Sequence, residues 1–162
     1  MLHWGSEYDR QVTESQKEIA KLLFDNGVGL IIGSHSHFVG PIELPEKSKG
    51  SYGKQLVAYS LGNLISVADN SEARNGCVLN VTVAKDREGL RIADISYVPT
   101  FSAAPSEELS VRDHEVLDTL GALSFYRQGY YDRISDRLYE HLISAIDRMK
   151  EQTGLPDCIA GS

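Results

Sequence analysis

A short run near the start of the chain constrains its fold more than any other feature. From 13 to 24, Ile19, Ala20, Leu22, Leu23 and Phe24 alternate with Glu14, Lys17, Glu18 and Lys21, the pattern of an amphipathic helix. Asn26-Gly27 supplies the stop, because glycine tolerates the left-handed conformation that closes helices. Val28-Gly29-Leu30-Ile31-Ile32 follows at once, apolar, partly β-branched and ended by Gly33, as expected of a buried strand. Helix, tight turn and buried strand together specify an α/β layer.

The rest of the chain extends that layer. Residues 41–52, rich in Pro, Gly, Ser and charge, read as an exposed loop before a strand over 55–60. Period-two alternation over 77–84 and 90–98 flanks Asp86-Arg87-Glu88-Gly89, which predicts a β-hairpin. After Pro99 the character changes. Residues 102–110 read as a loop, and helices are expected over about 111–123 and 131–152. In the second of these, Ile134, Leu138, Leu142, Ala145, Ile146 and Met149 recur at helical steps and should pack on the sheet. Gly154 and Pro156 mark its end. The expected organisation is an α/β (α+β) domain over 1–100 with a helical extension over 101–162 packed upon it.

Composition removes several classes of function. At 162 residues the chain can bury roughly two-thirds of its unfolded surface, so its core needs neither disulfide nor metal. Lys plus Arg number 16 against 23 for Asp plus Glu, a formal charge of −7, with no basic cluster to release counterions from a phosphate backbone. Nucleic acid is therefore not an expected partner. No segment reaches the ~20 apolar residues of a membrane span. Met1-Leu2-His3-Trp4 lacks the regions of a secretory signal. Cys77 and Cys158, far apart and without a CxxC frame, read as buried or incidental thiols.

The chemistry-bearing stretch is Ile31-Ile32-Gly33-Ser34-His35-Ser36-His37, two histidines one residue apart directly after a buried strand. In α/β sheets, ligand sites gather where strands end and the chain turns out of the core. If the loop bends at Gly33-Ser34, His35 and His37 can offer neutral imidazole nitrogens to the same metal cluster. Standing alone, an HxH pair fits hydrogen-bonded surface histidines equally well. Support comes from His3-Trp4-Gly5-Ser6-Glu7-Tyr8 before it and Tyr59-Ser60-Leu61-Gly62-Asn63 after it.

With these three segments in order, residues 2–66 resemble the bacterial capsule and poly-γ-glutamate synthesis family. That family shows an HWGxEY segment, a helix, a strand ending in a GHHPH-like loop, and YSLGN. Tyr97-Val98-Pro99-Thr100 resembles its later strand end. The family is in turn similar to calcineurin-like metallophosphoesterases, and the resemblance implies a β-sandwich flanked by helices with two divalent metal ions at the strand ends. It implies that His3, His35 and His37 are metal ligands, and that His37, Glu7 and Asn63 serve the reaction, in which metal-activated water attacks a phosphoester. Glu7 can equally cap a helix and Asn63 equally form a turn. Trp4 and Tyr59 are expected in the core or the pocket wall, and His114 and His141 as structural residues of the later helices. Glu107, Glu108, Asp113, Glu115 and Asp118 read as a solvated face.

The departures carry their own implications. Ser34 stands where the family loop commonly has histidine, and Ser36 where it has proline. The superfamily's early Asp and Asn-His motifs, and with them the metal-bridging carboxylate, have no counterpart in this chain. The resemblance thus implies the C-terminal half of a domain whose partner is its own N-terminal half, acting on a cell-surface polymer or phosphoester outside the cytoplasm, by itself inactive. The alternative from another class is a non-catalytic structural or interaction domain without a complete metal site; a histidine-based metal carrier has less support.

Overall fold

The computed structural model describes residues 1–47, 51–87, 89–103, 114–130 and 134–155. Thr13 caps the first helix, α1 (Glu14–Asp25), through a reciprocal capping box with Gln16, and Asn26 and Gly27 (φ +86°) end it. Helix capping therefore belongs to Thr13 and not to Glu7. The chain then enters β2 (Leu30–Ser34), which lies between β1 (Leu2–His3) and β4 (Leu56–Ala58), both parallel to it. A short antiparallel strand, β3 (Ile42–Glu43), completes the sheet in the order β1-β2-β4-β3.

A second sheet is antiparallel, β5 (Asn75–Asp86), β6 (Gly89–Ala103) and β7 (Glu115–Asp118) in that order. The hairpin expected from alternation is thus present and longer than its pattern indicated. A register shift between Thr82 and Val83 pairs them with Asp94 and Ile92, skipping Ala93. This bulge brings Ile92 into the same core as Ile95 and Tyr97 although strict alternation would turn it away.

Strand β4 is buried on both faces, which explains its uniformly apolar sequence. Leu56 and Ala58 join Ile42, Cys77, Ile95, Tyr97 and Met149 in a core between the two sheets. Val57 and Tyr59 face the other way, onto Ala20 and Phe24 of α1 and onto Trp4. The molecule is a mixed α/β fold in which two packed sheets have helices against them. A third core joins Phe101 of β6 to α2 (Thr119–Arg127) and α3 (Asp136–Thr153) through Leu123, Leu138, Leu142 and Ile146. The face expected of the last helix is the buried one, and Ser135 and Gly154 (φ +59°) cap it. No helix among the described residues is long and apolar enough to cross a membrane.

Several local expectations are corrected. The strand expected over 28–32 runs Leu30–Ser34 and includes Gly33, the stretch 41–52 contains β3, and the strand expected over 55–60 is confined to Leu56–Ala58. The helix expected over 111–123 begins only at Thr119; Glu115-Val116-Leu117-Asp118 is a strand because it pairs with β6, and Asp118 caps α2. His114 consequently precedes a strand and lies in no helix, whereas His141 is in α3. Ser102 belongs to β6, and the rest of 102–110 lies outside the described residues, as do Glu107, Glu108, Asp113, Pro156 and Cys158. Cys77 is a buried free thiol.

Candidate functional site

The site is assembled by the parallel pairing of β1 and β2. Its register sets Leu2 against Gly33 and His3 against Ser34, so two segments thirty residues apart deliver their histidines to the same strand end. The rings of His3 and His35 lie 4.2 Å apart between centroids. Ser34 Oγ donates to the Leu2 carbonyl at 3.3 Å and lies 3.4 Å from His3 Nδ1.

Gly33 makes this pairing possible. A Cβ there would fall 2.1 Å from the Tyr59 carbonyl oxygen and 2.3 Å from the Trp4 indole nitrogen. That indole donates to the same carbonyl at 2.9 Å, buried, which pins β1 across β2 to the end of β4. The bend expected at Gly33-Ser34 therefore occurs one residue later, because Gly33 is needed flat in the strand. His35 makes the turn with φ +113°, and His37 follows with φ +63°. Tyr8 (φ +58°) is the remaining non-glycine residue with positive φ among the described residues, and its N–H donates to the Ser36 carbonyl at 3.0 Å. Backbone strain of this kind collects at ligand-binding loops, where the surrounding structure over-determines it.

His37 is held differently. The Asn63 amide nitrogen donates to the Ala73 carbonyl at 2.7 Å, leaving its oxygen as the acceptor 3.0 Å from His37 Nδ1. This assigns the Nδ1–H tautomer to the neutral ring and turns the Nε2 lone pair outward. Nε2 lies 3.4 Å from a Glu7 carboxylate oxygen, and Tyr8 stacks on the ring at 5.0 Å. A lone pair facing a carboxylate is an arrangement that a proton or a cation completes. Tyr8 was not singled out from sequence, although it ends the same HWGSEY segment.

Trp4 and Tyr59 are buried, as expected of core residues. Burial, with Glu43 adding to it, pushes the Tyr59 phenol up to about 12, and its hydroxyl donates to Glu43 at 3.3 Å. Its ring is buried against Trp4 and α1. Gly62, with φ +69°, packs so closely on β5 that a Cβ would lie 2.5 Å from the Asn75 carbonyl oxygen, and this contact sets the position of Asn63.

The residues singled out from sequence are thus brought together in two groups, His3 with His35, and His37 with Glu7 and Asn63. Among the described residues no three His, Cys, Asp or Glu side chains are grouped so that they could hold one metal ion. Imidazole and carboxylate are suitable donors for a divalent cation, but two protein ligands do not close a site that ordinarily takes three or four. The donors among the described residues do not by themselves make a metal centre.

The family model for the bacterial capsule synthesis protein PGA_cap matches residues 1–68, the stretch that contains all of these side chains. Over those residues the chain is similar to the bacterial capsule synthesis family. The chain is also 30% identical over 87 residues to the PGA biosynthesis protein CapA of Bacillus subtilis (strain 168), covering 54% of the chain and 21% of that protein. It is 33% identical over 63 residues to the capsule biosynthesis protein CapA of Bacillus anthracis, covering 39% of the chain and 14% of that protein. The chain therefore aligns with about a fifth or less of the length of these capsule synthesis relatives. The family match ends just beyond Asn63, so the second sheet and its helices stand outside it.

Proposed function

We propose that this chain supplies the imidazole side of a divalent-metal site in a phosphoesterase-like protein of capsule or poly-γ-glutamate synthesis. The remaining ligands, carboxylates above all, are supplied by a part of the domain outside residues 1–162. The observation that carries the reading is the convergence of His3 and His35 at the end of a parallel strand pair, on a backbone strained at His35 and His37. Asn63 orients His37 as a buried partner orients a metal-bound histidine, and Glu7 adds an oxygen donor beside it. The relatives named for capsule and PGA biosynthesis support the polymer association, and the substrate is read as a phosphoester or the polymer itself at the cell surface.

A second reading, a non-catalytic domain that keeps the fold, is favoured by the lack of a three-donor group among the described residues. One experiment separates the two. Manganese and zinc content after equilibrium dialysis is measured by mass spectrometry for the 162-residue chain and for a chain extended upstream in its own reading frame. The extended chain is expected to hold metal and to hydrolyse bis(p-nitrophenyl) phosphate. His3→Ala, His35→Ala and His37→Ala should each weaken metal binding by roughly 10- to 100-fold. Unchanged metal content in all three variants, or none in the extended chain, would leave the non-catalytic reading standing.

A further inference from the structure

Two supports of the loop around His37 come from one short element that the family match does not reach. The 3-10 helix Ser71–Arg74 lies beyond residue 68, where that match ends, and leads directly into β5. It is fixed to the second sheet. Ala73 is fully buried, and Arg74 donates to the Ser102 carbonyl at 2.8 Å while its guanidinium lies 4.7 Å over the ring of Phe101. From this base two adjacent residues reach the loop by separate routes. The Ala73 carbonyl holds the amide of Asn63, which orients the His37 ring. Glu72 pairs with the guanidinium of Arg10, which lies 4.6 Å over the ring of Phe38, the residue after His37. Arg148 of α3 pairs with the other carboxylate oxygen and so holds Glu72 from behind. Tyr8 joins the two routes, because its ring stacks on His37 and meets Phe38 edge-on while its N–H donates to the Ser36 carbonyl.

A loop with positive φ at His35 and His37 does not keep its own shape, because L-residues hold that conformation only where the surroundings over-determine it. The Asn63 hydrogen bond fixes the ring of His37 and leaves the chain after it to be held by something else. A guanidinium can bind a ring face and a carboxylate at once through its planar fork, which is what Arg10 does between Phe38 and Glu72. Both charged side chains are part-exposed, where an ion pair by itself contributes little. Its part here is directional: the carboxylate aims the guanidinium at the ring. We propose that Glu72 is a positioning residue which, through Arg10 and Phe38, holds the His37 loop in its binding conformation, so that the second sheet supports a site whose donors all precede residue 38. This rests on the metal reading for what the loop serves, whereas the hold itself can be measured without metal.

The test is amide hydrogen exchange of the 162-residue chain, followed residue by residue by NMR. The Tyr8 N–H reports on the loop, and the Leu56 N–H, which donates to the Gly29 carbonyl at 2.9 Å, reports on the sheet. Glu72→Gln and Arg10→Gln should each speed exchange at Tyr8 by roughly two- to fivefold, the range of an exposed cation–π contact, and leave Leu56 unchanged. The double variant should exchange no faster than Arg10→Gln, because Glu72 acts only through Arg10. Without any variant, salt at about 1 M should screen the Arg10–Glu72 pair and speed exchange at Tyr8 but not at Leu56, which decides the matter should a variant fail to fold. In the chain extended upstream, Glu72→Gln should weaken manganese binding by the same two- to fivefold. An extended chain that holds no metal defeats the metal reading and leaves the exchange rates to decide on Glu72. The proposal is overturned if Tyr8 exchange is unchanged in the folded variants, if Leu56 accelerates with it, if the double variant exceeds Arg10→Gln, or if a metal-holding extended chain binds manganese as tightly with Glu72→Gln as without it.

Discussion

The backbone at His35 gives a prediction in which stability and ligand binding part company. At φ +113° an L-residue sits where only glycine is at ease, a strain of about 1–3 kcal/mol. Substituting glycine removes that strain but adds flexibility to the unfolded chain, worth about 0.5–1 kcal/mol in the other direction. Alanine removes the imidazole while keeping the strain. The comparison of His35→Gly with His35→Ala therefore cancels the loss of the ring and of its contact with His3 and isolates the backbone. His35→Gly should be the more stable variant by about 1 kcal/mol, which for a chain of this size is a melting temperature roughly 2–4 °C higher. Both variants should lose the same share of any metal affinity in the extended chain. Urea and thermal unfolding, followed by the fluorescence of Trp4, the single tryptophan, measure the difference. If His35→Ala equals or exceeds His35→Gly in stability, the loop is not strained at this position and the argument from backbone geometry fails.

Other outcomes follow from the same structure. Gly33→Ala should destabilise the chain by about 3 kcal/mol, because its Cβ overlaps the Tyr59 carbonyl and the Trp4 indole and breaks their buried hydrogen bond, and the same urea titration reads it. Leu142→Ala, in the fully buried centre of the α2–α3 core, should cost about 2–5 kcal/mol in the same assay. Burial pushes the Cys77 thiol up to about 12, as it does the Tyr59 phenol. Both groups hold their protons more tightly in the folded state, so their contribution is full below pH ~9 and is lost as pH rises towards 12; stability measured across that window should fall. For the same reason Cys77 should resist a disulfide-exchange reagent at pH 8 in the native chain and react once it is unfolded.

What could be read from the sequence was what local physics decides. The first helix shows its apolar stripe and its Asn26-Gly27 stop close together in sequence, and the last shows a long apolar face; both helices are present, the last beginning at Asp136, so that Ile134 precedes it. The strand Glu115–Asp118 was illegible because its four residues take extended form only by pairing with Thr100–Ala103 of β6, far from them in sequence. Ile92 joins its core only through a bulge, which alternation alone does not announce. At the site, the three named segments were legible as a set, while the roles within them were not. That Asn63 fixes a histidine tautomer depends on the Ala73 carbonyl, and that Arg10 and Arg148 share one carboxylate depends on where α3 docks.

Positions 33 and 35 show how the same local geometry can serve fold and chemistry by opposite means. Gly33 has ordinary extended backbone and is glycine because Trp4 and Tyr59 close over it; any side chain there would unseat β1 and carry His3 away. Residue 35 has a backbone that favours glycine and a half-buried side chain, yet it is histidine. Packing accounts for the first choice and not for the second. An imidazole kept at a strained turn, with another imidazole delivered to it across a two-residue strand, is most simply explained if the pair has something to hold. That explanation depends on β1 being seated, so Gly33→Ala should abolish the contribution of His3 to metal binding in the extended chain even though residue 3 itself is unchanged.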